Sequence, residues 1–270
     1  MGKVAAWATV FIMFGASIGT AKFQQNIVSL DMAPNSVDDM YTVCKDKMEK
    51  KVKAEFILNE RNGDKNFSLA WKAAEVNYNK KWSHRRGKKP SRTLGKEQII
   101  AIYVYTLDKP KIYLEFNDAV RTQRFNYKTT FKYHTLHFFL TTALQTLNAR
   151  NSQSERCLTG FRRVSSYFSE DMLNKEIRFG SFISSSMGEY PSPDKYGDQT
   201  CFEIYTCFGA DISLYSKVGE SERELLIPPY EIFKVTSMEK RSAQKQLPCD
   251  VVYKLKSTEK TLSNVDCGLF

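Results

Sequence analysis

Apolar and polar positions follow two different rhythms along this chain. In the first half, up to about residue 150, apolar residues recur at helical spacing. Residues 36–51 open on Ser36, a good N-cap, with Asp38 and Asp39 placed for a first turn, and predict a helix. Residues 68–80 predict a second, with Leu69, Ala73 and Val76 on one face. Residues 96–107 predict a third that carries Tyr105 near its end, and another begins at Tyr113. The strongest pattern spans 131–147, where Phe131, His134, Leu136, Phe138, Leu140, Ala143, Leu144 and Leu147 crowd one broad face. That helix is expected to be buried, with His134 and His137 as satisfied polar groups beside the core rather than metal ligands. From Cys157 onward the rhythm becomes one of short apolar runs. Residues 157–164, 177–185, 201–208, 224–227, 230–238 and 251–255 predict strands. Pro191, Pro193 and Gly197 mark a loop among them. Helices first and strands afterwards is the α+β pattern.

Residues 1–21 stand outside this scheme. Lys3 precedes an apolar run over 4–14, and small residues lead to Gly19-Thr20-Ala21. This is the form of a secretory signal peptide, too short for the ~20 residues of a membrane span. The mature chain is expected to begin near Lys22, and residues 22–270 to form a single catalytic domain. No later stretch reaches spanning length, and the chain ends at Phe270 without the apolar tail of a glycolipid-anchor signal. The expectation is a secreted, extracellular protein without stable membrane insertion.

Charge adds little to this picture. The 270 residues carry 40 Lys and Arg against 30 Asp and Glu, a net +10. Much of the excess lies in residues 80–92, with Trp82 and His84 interleaved. A nucleic-acid patch can look like this, but Gly87, Pro90 and the lack of periodicity favour an exposed loop, and no nucleic-acid partner is expected. The six cysteines behind a leader argue for disulfides, with 15 connectivities open. With no CxxC pair and three histidines, a zinc site has little support. Asn66-Phe67-Ser68 is a glycosylation acceptor.

Three features carry candidate chemistry. Glu222 and Glu224 are two apart at the head of a strand, so an extended backbone would project both carboxylates from one face. Repulsion and desolvation there would raise at least one pKa. Arg162 follows Phe161 in an apolar strand; taken alone it reads as a structural ion pair ahead of a holder for an anionic ligand. Ser184-Ser185-Ser186 ends a strand but lacks the G-x-S-x-G setting of a nucleophile, so a hydrogen-bonding role fits better.

An arginine, a Phe-x-Ser-Ser-Ser strand and a Glu-x-Glu pair, in that order, resemble the R-S-E family of mono-ADP-ribosyltransferases, in particular the vertebrate ecto-enzymes that modify arginine. Further segments carry the resemblance: Leu30-Asp31-Met32-Ala33-Pro34-Asn35 ahead of Cys44, Ala101 to Thr106, Phe116-Asn117-Asp118-Ala119-Val120-Arg121, the core helix, the run from Ile204 to Gly209, and Leu225-Leu226-Ile227-Pro228-Pro229-Tyr230-Glu231-Ile232-Phe233. The similarity covers roughly residues 30–267. It implies the ADP-ribosyltransferase fold, N-terminal helices packed on a two-sheet β core with an NAD cleft. It implies NAD as co-substrate, as NADP is for some members, no metal, and arginine-bearing extracellular or secreted proteins as acceptors. Glu224 would stabilise the oxocarbenium-like centre, Glu222 orient the acceptor guanidinium, Arg162 hold the pyrophosphate or ribose, and Ser184 fix Glu224. Tyr105, Ser181 and Ser216 sit where the family contacts NAD. An NAD glycohydrolase, with water as acceptor, and a non-catalytic binding protein of the same fold are the alternatives. No GxGxxG occurs, so Rossmann-type binding is not expected. The resemblance also implies the bridges Cys44–Cys267 and Cys157–Cys207, leaving Cys201 and Cys249 for a third. One departure stands out: the family's Tyr-Arg-Gly is Phe161-Arg162-Arg163 here. Cys157, five residues ahead, matches Arg162 to the family's arginine. Arg163 is then expected to face away from the cleft, toward solvent or an acidic partner.

Overall fold

The computed structural model describes residues 27–82, 94–150, 152, 155–219 and 223–270. The leader and most of the basic run at 80–92 lie outside the described residues.

The helical part begins with α1 (Lys45–Lys51), which continues through a wide turn at Val52–Phe56 into α2 (Ile57–Gly63). Ser36 does not cap a helix over 36–51. Its Oγ donates to Gly180 O at 2.8 Å. Asp38 and Asp39 are buried tertiary anchors. Asp38 pairs with Arg178 at 2.7 Å, with both side chains fully buried, and accepts from Asn264 N and Val265 N. Asp39 accepts from Tyr41 N, Tyr127 OH and Cys267 N. Distant partners therefore hold these residues in an irregular segment, against their local preference for a first turn. Burial raises Asp39 to about 6.

Helix α3 (Lys65–Trp82) is longer than expected and turned on its axis. Asp64 Oδ1 caps it by accepting from Phe67 N at 3.0 Å. Phe67, Ala70, Trp71 and Ala74 are buried, whereas Leu69 is 51% and Val76 61% exposed. The two large aromatics decide the face, since Trp71 packs on Phe139 and Phe67 on Tyr133. Helices α4 (Lys96–Tyr105) and α5 (Ile112–Thr122) follow. At the centre lies α6 (His134–Asn148), buried on nearly every side. His137 is satisfied by Tyr41 OH at 2.7 Å and Val37 O at 2.9 Å, and burial lowers it to about 3. His134 stacks on Phe56 at 4.4 Å, and burial lowers it to about 4.

A two-residue strand, β1 (Ile27–Val28), pairs in parallel with β3 (Tyr167–Phe168). Among the described residues the main sheet has eight strands in the order β4-β9-β10-β6-β2-β5-β8-β7. These are β2 (Leu158–Val164), β4 (Glu176–Ile177), β5 (Ile183–Ser186), β6 (Thr200–Thr206), β7 (Ala210–Asp211), β8 (Glu224–Ile227), β9 (Glu231–Lys240) and β10 (Val251–Thr261). A short helix, α7 (Pro193–Tyr196), precedes β6. Only β10 and β6 run parallel; the other neighbours in the main sheet are antiparallel. The predicted strand over 177–185 is broken by Gly180, at φ +69°, where a Cβ would come within 2.3 Å of Ala33 Cβ. The lead-in segment packs there.

The ladder is almost cut between β2 and β5, which share one residue pair, Phe161 with Ser186. The larger half, β4 through β2, and the smaller half, β5-β8-β7, close on each other. Ile183, Leu225 and Ile227 from one meet Phe202, Ile204, Phe233 and Tyr253 from the other. On its other side the smaller half turns Phe182 and Leu226 toward the helices. β8 is thus buried on both faces, as its unbroken apolar run anticipates. All three disulfides form the pairs expected: Cys44–Cys267, Cys157–Cys207 and Cys201–Cys249.

Candidate active site

The seam between the two half-sheets assembles the candidate site. Close approach there depends on Gly160, where a Cβ would lie 2.3 Å from Ser185 Oγ and 2.8 Å from Leu225 Cδ2. A larger residue would prise β2 from β5. Two residues on, Arg162 extends its guanidinium across the gap, and Nη1 donates to Ser184 O at 2.7 Å. The pairing of β5 with β8 sets Ser186 opposite Glu224 and Ser184 opposite Leu226. Ser184 and Glu224 are therefore diagonal neighbours on one face. Ser184 Oγ donates to Glu224 Oε1 at 2.6 Å. Glu224 is 9% exposed. Cation, hydroxyl and carboxylate thus meet on three adjacent strands, as the sequence suggests.

Burial pulls the Arg162 pKa below its ordinary value, and nearby Tyr105, Tyr196 and Tyr113 oppose that fall. A guanidinium does not lose its proton in a protein, so the site keeps a fixed cation. Tyr105 closes the floor. Its hydroxyl donates to Phe182 O at 3.0 Å and accepts from Asn117 Nδ2 at 3.0 Å. Burial pushes its pKa up, with Arg162 opposing and Glu224 reinforcing the rise. Ser216 Oγ accepts from Gly219 N at 3.1 Å in the segment after β7. That segment is fastened to the site by Ile212 N donating to Glu224 O and Lys217 N to Thr106 Oγ1. Ser181 is buried between Gly180 and Phe182. Among the described residues no hydrogen bond joins Ser181 or Ser216 to the Arg162–Ser184–Glu224 cluster.

Two expectations change. Glu222 lies outside the described residues. Arg223, between the two glutamates, has φ +42°. The backbone is left-handed there, so the same-face argument for an extended chain stops at Glu224. Arg163 does face away from Arg162, as alternation along β2 requires, but reaches neither solvent nor an acid. It is 8% exposed. Its Nε donates to Pro191 O at 2.8 Å, and its Nη1 to Pro248 O at 2.8 Å and Cys249 Sγ at 3.3 Å. The guanidinium also lies 5.9 Å from the Tyr190 ring centre.

Sequence reasoning passed over Tyr113, Asn117 and Tyr196. Asn117 sits within one of the segments that carry the family resemblance, and its pairing with Tyr105 depends on the packing of α5 on α4. Tyr196 belongs to α7, in a stretch whose prolines read as loop.

The comparisons agree with this geometry. A family described as NAD:arginine ADP-ribosyltransferase matches residues 30–260. Ecto-ADP-ribosyltransferase 5 of Mus musculus is 36% identical over 253 residues, 90% of this chain and 76% of that protein. Its Homo sapiens counterpart is 35% identical over 97% of this chain and 89% of its own length. Among solved structures, the eucaryotic mono-ADP-ribosyltransferase ART2.2 superposes with a TM-score of 0.70 at 28% identity, covering 89% of this chain and 98% of that one. A mutant of it in complex with NADH gives 0.71 at 29%. Profile, relatives and fold converge, and the chain belongs to the NAD:arginine ADP-ribosyltransferase family.

Proposed function

We propose that Arg162, Ser184 and Glu224 form the catalytic centre of this transferase, and that Glu222 serves the acceptor. The observation that supports this most is the 2.6 Å bond from Ser184 Oγ to Glu224 Oε1 beside the Arg162 guanidinium. The set suits NAD, which offers a pyrophosphate to a fixed cation and a ribose to a carboxylate. Arg162 holds the anionic part of NAD by charge-assisted hydrogen bonds. Ser184 fixes the Glu224 rotamer. Glu224 lies beside the ribose and stabilises positive charge on the anomeric carbon as the bond to nicotinamide breaks. The electron pair of that bond leaves with the pyridine nitrogen, so nicotinamide departs neutral. A guanidino nitrogen of the acceptor arginine then bonds to the same carbon and gives up one proton, with Glu222 orienting the cation and taking that proton. Tyr105, Ser181 and Ser216 are assigned to NAD contact by the family resemblance. The acceptors are arginines of extracellular or secreted proteins, reached by a single catalytic domain over 22–270 after loss of the leader. Three disulfides and the ecto- naming of the relatives support that location. Among the described residues no helix is long and apolar enough to cross a membrane.

The test is incubation of the protein with labelled NAD, with and without agmatine as arginine analogue. ADP-ribosyl-agmatine is the expected product. Glu222→Gln should suppress this transfer more than it suppresses NAD hydrolysis. An equal fall in both would remove the separate acceptor role of Glu222, and release of free ADP-ribose alone would make the protein a glycohydrolase.

A further inference from the structure

Arg223 stands immediately before Glu224 and has no part in the chemistry above. It is exposed, and its backbone is held in the left-handed region at φ +42°. Its carbonyl oxygen accepts from Met187 N at 2.9 Å. That bond ties the entry of β8 to the exit of β5, the two strands that carry Glu224 and Ser184. The side chain runs over Gly188, where a Cβ would lie 3.9 Å from Arg223 Nη1. Gly188 itself has φ +115°, a conformation that disfavours a side chain and leaves the space above it to the guanidinium. An exposed, permanently charged side chain therefore stands one residue before Glu224, beside the turn that leaves β5.

An acceptor arginine reaches Glu224 only with its own neighbours in tow. Consecutive Cα atoms are about 3.8 Å apart. Side chains flanking the target therefore arrive beside the segment that carries Glu224, and exposed charges interact over ~8 Å at physiological salt. We propose that Arg223 is a specificity-determining residue that reads the charge flanking the target arginine, favouring Asp and Glu and disfavouring Lys and Arg. The inference rests on the arginine-acceptor reading given above. Exposed pairs of this kind are worth about a two- to fivefold preference each. They weaken as salt rises.

The experiment uses two arginine peptides of equal length, one with Asp on both sides of the target and one with Lys on both sides. The ratio of their kcat/KM values for ADP-ribose transfer is measured at low and at 0.5 M salt. The wild-type protein should favour the acidic peptide by about three- to twentyfold at low salt and less at high salt. Arg223→Gln should shrink the ratio and Arg223→Glu should invert it. Lys260→Glu, an equal charge change at the exposed end of β10, should leave the ratio as in the wild type. Efficient transfer with a ratio unmoved by Arg223→Glu, or moved equally by Lys260→Glu, would overturn this inference alone. Failure of the wild-type protein to modify either peptide while it still consumes NAD would overturn the acceptor reading and this inference with it.

Discussion

Arg162 and Arg163 are neighbours on one strand and face opposite sides of it. On the Arg162 side, the guanidinium makes one hydrogen bond among the described residues, to Ser184 O, and stands beside a serine–glutamate pair. On the Arg163 side, the donors end on Pro191 O, Pro248 O and Cys249 Sγ, and the flat face meets Tyr190. The same contrast separates Arg162 from Arg178, which donates to Met32 O, Ala33 O and Leu262 O and pairs with Asp38. A buried cation whose hydrogen bonds all end inside the chain is a strut. A cation that keeps donor capacity in a cleft has it available for a ligand. Arg163 replaces a glycine of the family pattern with such a strut. It joins the segment after β5 to the Pro248–Cys249 turn, which the Cys201 bridge also anchors.

The contrast predicts that damage on the two sides appears in different measurements. Glu224→Gln should give the largest change. Removing one transition-state electrostatic partner costs about 10²–10³-fold in rate, so transfer and NAD hydrolysis should both fall by that much. The unfolding temperature should change little, because the glutamine keeps an acceptor for Ser184 Oγ. A variant that keeps most of its activity would remove Glu224 from the centre of the reaction.

Next in size is the arginine pair. Arg162→Ala should weaken NAD binding about 10- to 150-fold, the worth of a charge-assisted hydrogen bond of roughly 1.5–3 kcal/mol. Arg163→Gly should leave NAD affinity within a few-fold and instead lower stability by about 1–2 kcal/mol, since Pro191 O loses its side-chain donor, Pro248 O keeps only Arg241 Nη2, and the packing on Tyr190 goes. Titration of NAD binding and thermal unfolding of both variants check this. If Arg163→Gly is the change that damages binding, strut and ligand-holder have been exchanged.

The strand side of this contrast was open to sequence reasoning because its signals are local. β8 occupies residues 224–227 as expected, since a run of apolar residues bounded by charge and Pro228 admits little else. The long helix at 134–148 was equally plain. What escaped reading depends on partners far away in the chain. Asp38 and Asp39 look like helix-start residues until Arg178, Asn264 and Cys267 arrive to claim them. Leu69 and Val76 look like a core face until Trp71 and Phe67 find Phe139 and Tyr133. The glutamate pair looked like one strand face, but Arg223 between the two is left-handed, so an extended backbone cannot be carried back from Glu224 by alternation alone. For the site itself, residue types and order were legible, whereas the single-pair seam that brings Arg162 to Ser184 is a property of the closed sheet.

The effect on activity is smallest, an expected nil, for a buried acid that serves architecture. Both Glu60 oxygens lie 3.2 Å from Thr135 N, at the start of α6. A helix N-terminus favours the anion, yet burial outweighs it and raises Glu60 from 4.5 to about 8. The sign follows directly. The folded protein binds this proton more tightly than the unfolded chain, so Glu60 favours folding below pH 4.5, and that contribution is lost as pH rises toward 8. Asp39, raised from 3.8 to about 6, adds a loss of the same sign at lower pH. Glu60→Gln keeps an acceptor for Thr135 N and removes the titration. Between pH 5 and 8 the wild-type unfolding temperature should therefore fall relative to that of Glu60→Gln, by a few degrees for each ~1 kcal/mol involved. Thermal unfolding of the two proteins at half-unit pH steps measures the difference. Parallel curves would mean that Glu60 is already ionised in the fold, and NAD hydrolysis at fixed pH should not distinguish the two proteins at all.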